Sequence, residues 1–194
     1  RYSSAASDVY KRQLQSLKKD LKIDKFICNL LLQREVNSLK KAQKFFRPDI
    51  NLLHDPFLMK DMKKVVEKIQ NSKEHRIMIL GDYDVDGTTS TAMLYKYFKN
   101  MDYDLLYYIP DRYEEGYGVS EKAIDYAEIN KVSLIITVDC GIKAVHQVDL
   151  SNSKNIDVII CDHHLPGEQI PNAFGILNPK PVSYTHLRAH ETSP

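Results

Sequence analysis

The stretch "RIMILGDYDVDGTTS" at residues 76–90 decides the fold. It starts as a short apolar run and then turns acidic, with Asp82, Asp84 and Asp86 alternating before Gly87. D-x-D-x-D-G also opens a calcium-binding EF-hand loop. That loop needs a bidentate Glu at its twelfth position and a helix in front of it. The twelfth position here is Met93, and "RIMIL" reads as a strand. What remains is a β-strand that ends in acid.

The same layout recurs downstream. "LLYYIPD" (105–111), "SLIITVDCG" (133–141) and "IDVIICDHH" (156–164) are further apolar runs, and "FGILNP" (174–179) is a weaker fifth. Helices are expected between them at 88–100, 120–130 and 141–152. Continuous apolar strands alternating with helices indicate a parallel sheet covered on both faces. The expected fold class is α/β, doubly wound, with a mostly parallel sheet of about five strands.

A helical N-terminal extension is expected before the sheet. Residues 14–46 read as helix, with Leu21, Phe26, Ile27, Leu30 and Leu31 set among Lys, Gln and Asn and no interrupting glycine. A second helix is expected from Asp55-Pro56, since Asp suits an N-cap and Pro the first helical position. Leu58, Met62, Val65, Val66 and Ile69 give it one apolar stripe. Residues 14–75 are thus assigned to the extension and 76–181 to the α/β domain. Both ends, 1–13 and 182–194, resemble translated adaptor or linker sequence and are set aside from fold reasoning. His186 and His190 stand four apart in that tail, and their metal-like spacing is read as accidental.

Composition bounds the remaining classes. The chain has 194 residues, 43% of them hydrophobic, as in an ordinary globular protein. No apolar run approaches the roughly 18 residues that span a bilayer. The layout of a signal peptide is missing, so a cytoplasmic protein without a membrane partner is expected. Cys28, Cys140 and Cys161 form no C-x-x-C, which argues against a zinc ribbon or a disulfide framework. The net charge of +1 hides an asymmetry: residues 11–76 carry +9 and residues 77–194 carry −8. Such a split fits a polyanion partner beside a cation site, or simply Lys-rich solvated helix faces.

The polar strand ends carry the chemistry. Asp82, Asp84 and Asp86 follow the first strand, Asp139 ends the "LIITV" strand, and Asp162, His163 and His164 end the "DVII" strand. Ligands of open α/β sheets bind at that edge. One terminal Asp would be a helix cap, but three strands ending this way, one with two histidines, go beyond capping. Two carboxylates about 4 Å apart repel by roughly 4 kcal/mol at an effective dielectric near 20. Such a group either shifts its pKa values upward or binds cations. Carboxylate and imidazole donors favour Mn²⁺ or Mg²⁺ over a thiolate-seeking metal. The set suffices for two ions, which about 3.5–4 Å apart activate water and stabilise a leaving oxygen in phosphoryl-ester chemistry.

The neighbouring residues suit a phosphate. "GTTS" (87–90) is expected to start a helix whose free N–H groups meet an anion, with Thr88 and Thr89 beside it. In "RYEEGYG" (112–118), Arg112 can pair with a phosphate while Tyr113 and Tyr117 stack on bases, or the stretch is a plain surface loop. Cys140 and Cys161 lie one step from proposed ligands, so along a strand they point to the opposite face and are read as structural.

These residues carry a family resemblance. "GDYDVDGTTS", "TVDCG" and "CDHHLPG", in this order, resemble the three motifs of the DHH phosphoesterase superfamily. "LHDPFLMKDM" (53–62), "PDRYEEGYGVS" (110–120) and "HHLPGEQIPNAFGILNP" (163–179) resemble its RecJ-type branch of single-strand-specific DNA exonucleases. The resemblance covers about residues 20–181. It implies metal ligation by Asp82, Asp84, Asp86, Asp139 and His163, with Asp139 bridging two ions and Asp82 the ligand that other branches replace by histidine. It implies His164 beside the substrate phosphate and Asp162 orienting His163. The implied activity is Mn²⁺- or Mg²⁺-dependent 5′–3′ hydrolysis of single-stranded DNA in repair and recombination, alongside a helicase or a single-strand-binding protein. The family's fourth motif and second, glycine-rich domain do not precede residue 182, so little activity is expected from these residues alone. Two alternatives keep parts of the reading: a phosphodiesterase for oligoribonucleotides or cyclic dinucleotides, and a binding module that has lost catalysis.

Overall fold

The computed structural model describes residues 4–180. His186, His190 and the segment 182–194 set aside above lie outside the described residues. The chain divides into two compact units, residues 1–55 and 56–194.

The first unit holds α1 (Ser4–Leu21), α2 (Lys25–Gln33) and α3 (Leu39–Phe46). The continuous helix expected over 14–46 is broken twice, and α1 begins at Ser4 inside the stretch set aside as adaptor-like. Lys22 (φ 56°) and Glu35 (φ 59°) adopt left-handed backbone, which ends α1 and α2 without a glycine. Asp24 and Ser38 then restart the chain as N-caps, accepting from Phe26 N and Lys41 N. Leu14, Leu17 and Cys28 form one small core, and Leu31, Val36 and Ala42 another.

The second unit opens with a single 3-10 turn at Pro56–Leu58, and α4 (Met62–Asn71) follows. The helix expected to start at Asp55-Pro56 therefore begins six residues later, at Met62. Asp61 stands at its N-cap without capping it, because its carboxylate accepts from Ile176 N at 3.0 Å. That bond ties α4 to the last strand, so α4 packs with the sheet.

Five strands make one parallel sheet: β1 (Ile77–Gly81), β2 (Leu105–Tyr108), β3 (Leu134–Val138), β4 (Asp157–Cys161) and β5 (Gly175–Leu177). Their order is β2-β1-β3-β4-β5, every neighbouring pair parallel. Between them run α5 (Val85–Lys99), α6 (Glu121–Ile129) and α7 (Val145–Ser153). Alternate residues of the buried strands feed opposite faces. Met78, Leu80, Ile135, Val158 and Ile160 pack with Ala123, Ile124, Ala127 and Val148 of α6 and α7. Ile77, Ile79, Leu134, Ile136 and Ile159 pack with Val65 of α4 and Phe98 of α5. The doubly wound α/β class read from the sequence holds.

The topology positions a crevice. The chain leaves β1 for β2 on one side, then crosses to β3 on the other, so the connections diverge at the carboxyl ends of β1 and β3. In open α/β sheets ligands bind at such a switch point. Gly81 pairs with Val138 and Val138 with Cys161, so three strands end on one rung. Asp82, Asp139 and Asp162 are each the next residue, and they leave the sheet together.

Candidate metal centre

Asp139 and the two histidines form the heart of the site. One ligand atom from each of Asp139, His163 and His164 lies within 4.8 Å of the others. His163 Nε2 sits 2.9 Å from Asp139 Oδ1, and the two imidazole rings are 4.5 Å apart between centroids. Asp139 holds a left-handed backbone (φ 60°) while its N–H donates to Cys161 O at 2.9 Å, which keeps it in the β4 ladder as the chain turns. Burial and the Asp84 carboxylate push the Asp139 carboxyl above the usual range, and His163 and His164 pull it back. A carboxylate drawn out of water with a second carboxylate close by favours a cation.

Asp162 serves its own triplet. Its Oδ1 accepts from His163 N (2.7 Å), His164 N (3.0 Å) and His164 Nδ1 (2.7 Å), and its Oδ2 accepts from Ile142 N (2.9 Å). Burial pushes its carboxyl up, but the N–H groups of His164 and Ile142 and the His164 ring outweigh that, and it sits below the usual range. The imidazole it orients is that of His164 and not of His163, as the family resemblance had implied. Adjacent residues leave the strand in different directions, and only His164 curls back onto the aspartate two residues before it. Its Nε2 lies 3.4 Å from the Tyr117 hydroxyl. Asn178, fully buried after β5, donates to His164 O at 2.9 Å and fixes the backbone of the triplet.

The first acidic stretch divides its labour. Asp82 is fully buried; its Oδ1 accepts from Gly118 N at 3.3 Å, and its Oδ2 has no hydrogen-bond partner among the described residues. A buried carboxylate oxygen without a donor is costly, so a cation fits this edge. Asp84 caps α5, accepting from Gly87 N at 2.9 Å, and its charge still reaches Asp139. Asp86 is exposed in the first turn of α5, and no contact among the described residues joins it to the cluster. The helix begins at Val85, two residues before "GTTS", so the N–H groups expected to be free are taken. Gly87 N donates to the Asp84 side chain and Thr88 N to Asp84 O. The Thr88 hydroxyl also donates to Asp84 O, at 2.7 Å, and Thr89 is exposed on the helix.

All candidate donors are oxygen or imidazole nitrogen. Cys140 is fully buried, and burial pushes its thiol far up. Burial likewise raises the Cys161 thiol to about 12. Both stay protonated within the core, as their one-residue offset implied, so no thiolate competes for a metal. The donor set suits Mn²⁺ or Mg²⁺.

Over the cluster lies an aromatic row. The Tyr117 hydroxyl donates to Asp139 O at 3.1 Å, and the ring meets His164 edge-on at 5.9 Å and Tyr83 at 6.2 Å. Burial and the charges of Asp82 and Asp139 push the Tyr117 hydroxyl well above the phenol range, so it stays a donor. Arg112 lies over the Tyr83 ring, 4.6 Å from its centroid. Tyr113 points to solvent, 92% exposed. The structure therefore gathers Arg112 and Tyr117 near the cluster and leaves Tyr113 free.

Glu115 holds this loop. It accepts from Tyr108 Oη and Asp111 N, each at 2.9 Å, and from the Ser120 hydroxyl. Burial pushes its carboxyl up, but those donors outweigh burial and hold it below the usual range. Its contribution to stability is then full above the unfolded value of about 4.3 and is lost as pH falls through the lower folded value. Thermal melts should show Glu115→Gln below the unsubstituted chain at neutral pH, with the gap closing in acid. A gap of constant width would contradict that role.

Glu115, Tyr83, Gly118, Ile142 and Asn178 escaped the sequence reading as site residues. Asn178 was within reach, since it is one more polar residue at a strand's carboxyl end.

The sequence profile of the DHH family, N-terminal domain, matches residues 76–186. The chain belongs to the DHH family. Among curated relatives it is 38% identical over 176 residues to the single-stranded-DNA-specific exonuclease RecJ of Bacillus subtilis (strain 168), covering 90% of this chain and 22% of that protein. To RecJ of Escherichia coli (strain K12) it is 40% identical over 121 residues, 61% of this chain and 21% of that protein. The chain thus spans about a fifth of these relatives' length. A crystal structure of exonuclease RecJ bound to manganese superposes with TM-score 0.59 at 30% identity, covering 66% of this chain and 33% of that one. RecJ from Thermus thermophilus in complex with Mn²⁺ shares the fold, with TM-score 0.63 at 22% identity over 87% of this chain and 23% of that one. No helix among the described residues is long and apolar enough to cross a membrane.

Proposed function

We propose that this chain carries a metal-binding portion of a single-stranded-DNA exonuclease that hydrolyses phosphodiester bonds with Mn²⁺ or Mg²⁺. The observation that carries the proposal is the convergence of Asp139, His163 and His164 within 4.8 Å beside the buried, unpartnered Asp82 Oδ2. Asp82, Asp84, Asp139 and His163 would hold the ions, with Asp86 a more distant contributor. Bound there, two divalent ions supply an activated water and stabilise the leaving oxygen. The side chains do the positioning. Asp162 holds His164 by Nδ1, and Nε2, shared at 3.4 Å with the Tyr117 hydroxyl, is the ring nitrogen offered to the substrate phosphate. Tyr117 keeps Asp139 and His164 in register and, with Tyr113, offers ring faces to unstacked bases. Arg112 supplies a phosphate contact, and Thr88 and Thr89 line the α5 side.

The relatives' printed names support single-stranded DNA as substrate, and the family resemblance supports 5′–3′ polarity and work beside a helicase or single-strand-binding protein. Three free cysteines suit the reducing cytoplasm. On this reading residues 76–181 are the phosphoesterase domain with α4 packed on its sheet, 14–75 supply the helical extension, and 1–13 and 182–194 are adaptor-derived. The test is a chimera in which this chain replaces the matching segment of the Bacillus subtilis relative. It should release nucleotides from single-stranded DNA only with Mn²⁺ or Mg²⁺. Asp84→Ala should abolish that release, and retained activity would overturn the assignment.

A further inference from the structure

A pocket of about 260 Å³ opens beside the cluster, between the loop after β3, the triplet after β4 and the loop before α6. Tyr117, Lys143, Gln147, Asp162 and His164 line it. It is smaller than the roughly 300–1,000 Å³ sites that enclose a drug-sized molecule. It therefore takes one group of an extended ligand.

The polar capacity of its walls is sorted by sign. Asp162, the sole acid among the described lining residues, already accepts three backbone N–H groups and the His164 ring. The uncommitted groups include strong donors. The Lys143 ammonium has no ion-pair partner among the described residues. Its stem runs beside Gly167, where a Cβ would lie 3.9 Å from Lys143 Cγ, and Lys143 itself lines the pocket. The half-buried Gln147 adds an amide with two N–H donors. Ala144 at the N-cap of α7 has no side chain to satisfy the first-turn N–H groups. The Tyr117 ring closes the other side.

We propose that this pocket is a phosphate subsite, holding the phosphate next to the bond at the metal centre. Lys143 supplies the counter-charge and Gln147 the directional N–H. The assignment rests on the phosphodiester reading of the adjoining centre and names the residues that grip the neighbouring nucleotide.

The test uses the 194-residue chain in EDTA, so the readout does not depend on whether the centre cuts DNA. Thymidine 5′-monophosphate, inorganic phosphate and thymidine are titrated separately while the backbone amides of residues 141–147 are followed by NMR. Both phosphates are expected to shift these amides and thymidine to leave them unmoved. Lys143→Met should weaken binding of the monophosphate about tenfold and Gln147→Ala about threefold, the losses expected for a charged and a neutral hydrogen bond. Lys143 is exposed and Gln147 half-buried, and an unchanged spectrum elsewhere confirms folding. Unchanged affinity in either variant, thymidine matching its phosphate ester, or phosphate binding without the nucleotide each overturns the subsite.

Discussion

Manganese affinity should fall at least a hundredfold in His163→Ala, about 2.7 kcal/mol at 1.36 kcal/mol per tenfold. His163 Nε2 lies 2.9 Å from Asp139 Oδ1, and its ring is exposed. Loss of a partner that merely orients a ligand costs 10–100-fold in metal affinity, so loss of a ligand itself exceeds that. Asp162→Asn gives the internal comparison. It keeps the shape but weakens the acceptor for His163 N, 2.7 Å away, which fixes the backbone of a proposed ligand, and about a tenfold loss is expected. His146→Ala is the control, because this histidine lies on α7 with a 74% exposed side chain and pairs with Glu121, away from the cluster's ligand atoms. Titration calorimetry with Mn²⁺ ranks the three. An affinity for His163→Ala equal to that of His146→Ala would remove His163 from the centre.

Gly87→Ala should destabilise the α/β unit by about 3 kcal/mol, lowering its melting temperature by roughly 10 °C. Two effects oppose each other. Within a helix, Ala is favoured over Gly by about 1 kcal/mol. A Cβ on Gly87 would, however, lie 2.4 Å from Asp82 O, 2.6 Å from Asp82 N and 2.7 Å from Asp82 C. All three are backbone atoms at the end of a buried strand and cannot rotate away. Separating them means pulling α5 off β1 and moving Asp82, so steric cost wins. Gly81 faces the same interface, where a Cβ would meet Gly87 O at 2.6 Å. The two glycines let helix and strand touch, and that contact aims Asp82 and Asp84 at the crevice. Melting followed by circular dichroism checks this, and a Gly87→Ala protein as stable as its parent would refute it.

Much of this was legible in the sequence because strand and helix periods are local. Four apolar runs and a weaker fifth, spaced by helical segments, mark a parallel sheet in any context where both faces are buried. The acids and histidines at three strand ends follow from the same reading, since a parallel sheet sends all its carboxyl ends to one edge. The breaks at Lys22 and Glu35 were not legible, because non-glycine residues take left-handed backbone only when packing favours it. The start of α4 was also hidden. Asp61 is drawn into a bond with Ile176, 115 residues away in sequence.

The sequence by itself determined the α/β class, the sheet edge where the acids and histidines gather and the residue types that suit Mn²⁺ or Mg²⁺. Only the tertiary structure decided which of them meet. It joined His163 to Asp139 and His164 to Asp162, made Asp84 a helix cap that still faces the cluster, left Asp86 outside and buried Asp82 with one oxygen unpartnered. Those outcomes depend on the common rung of β1, β3 and β4 and on side-chain directions after it. Both are set by packing between segments distant in the chain, which no local pattern encodes.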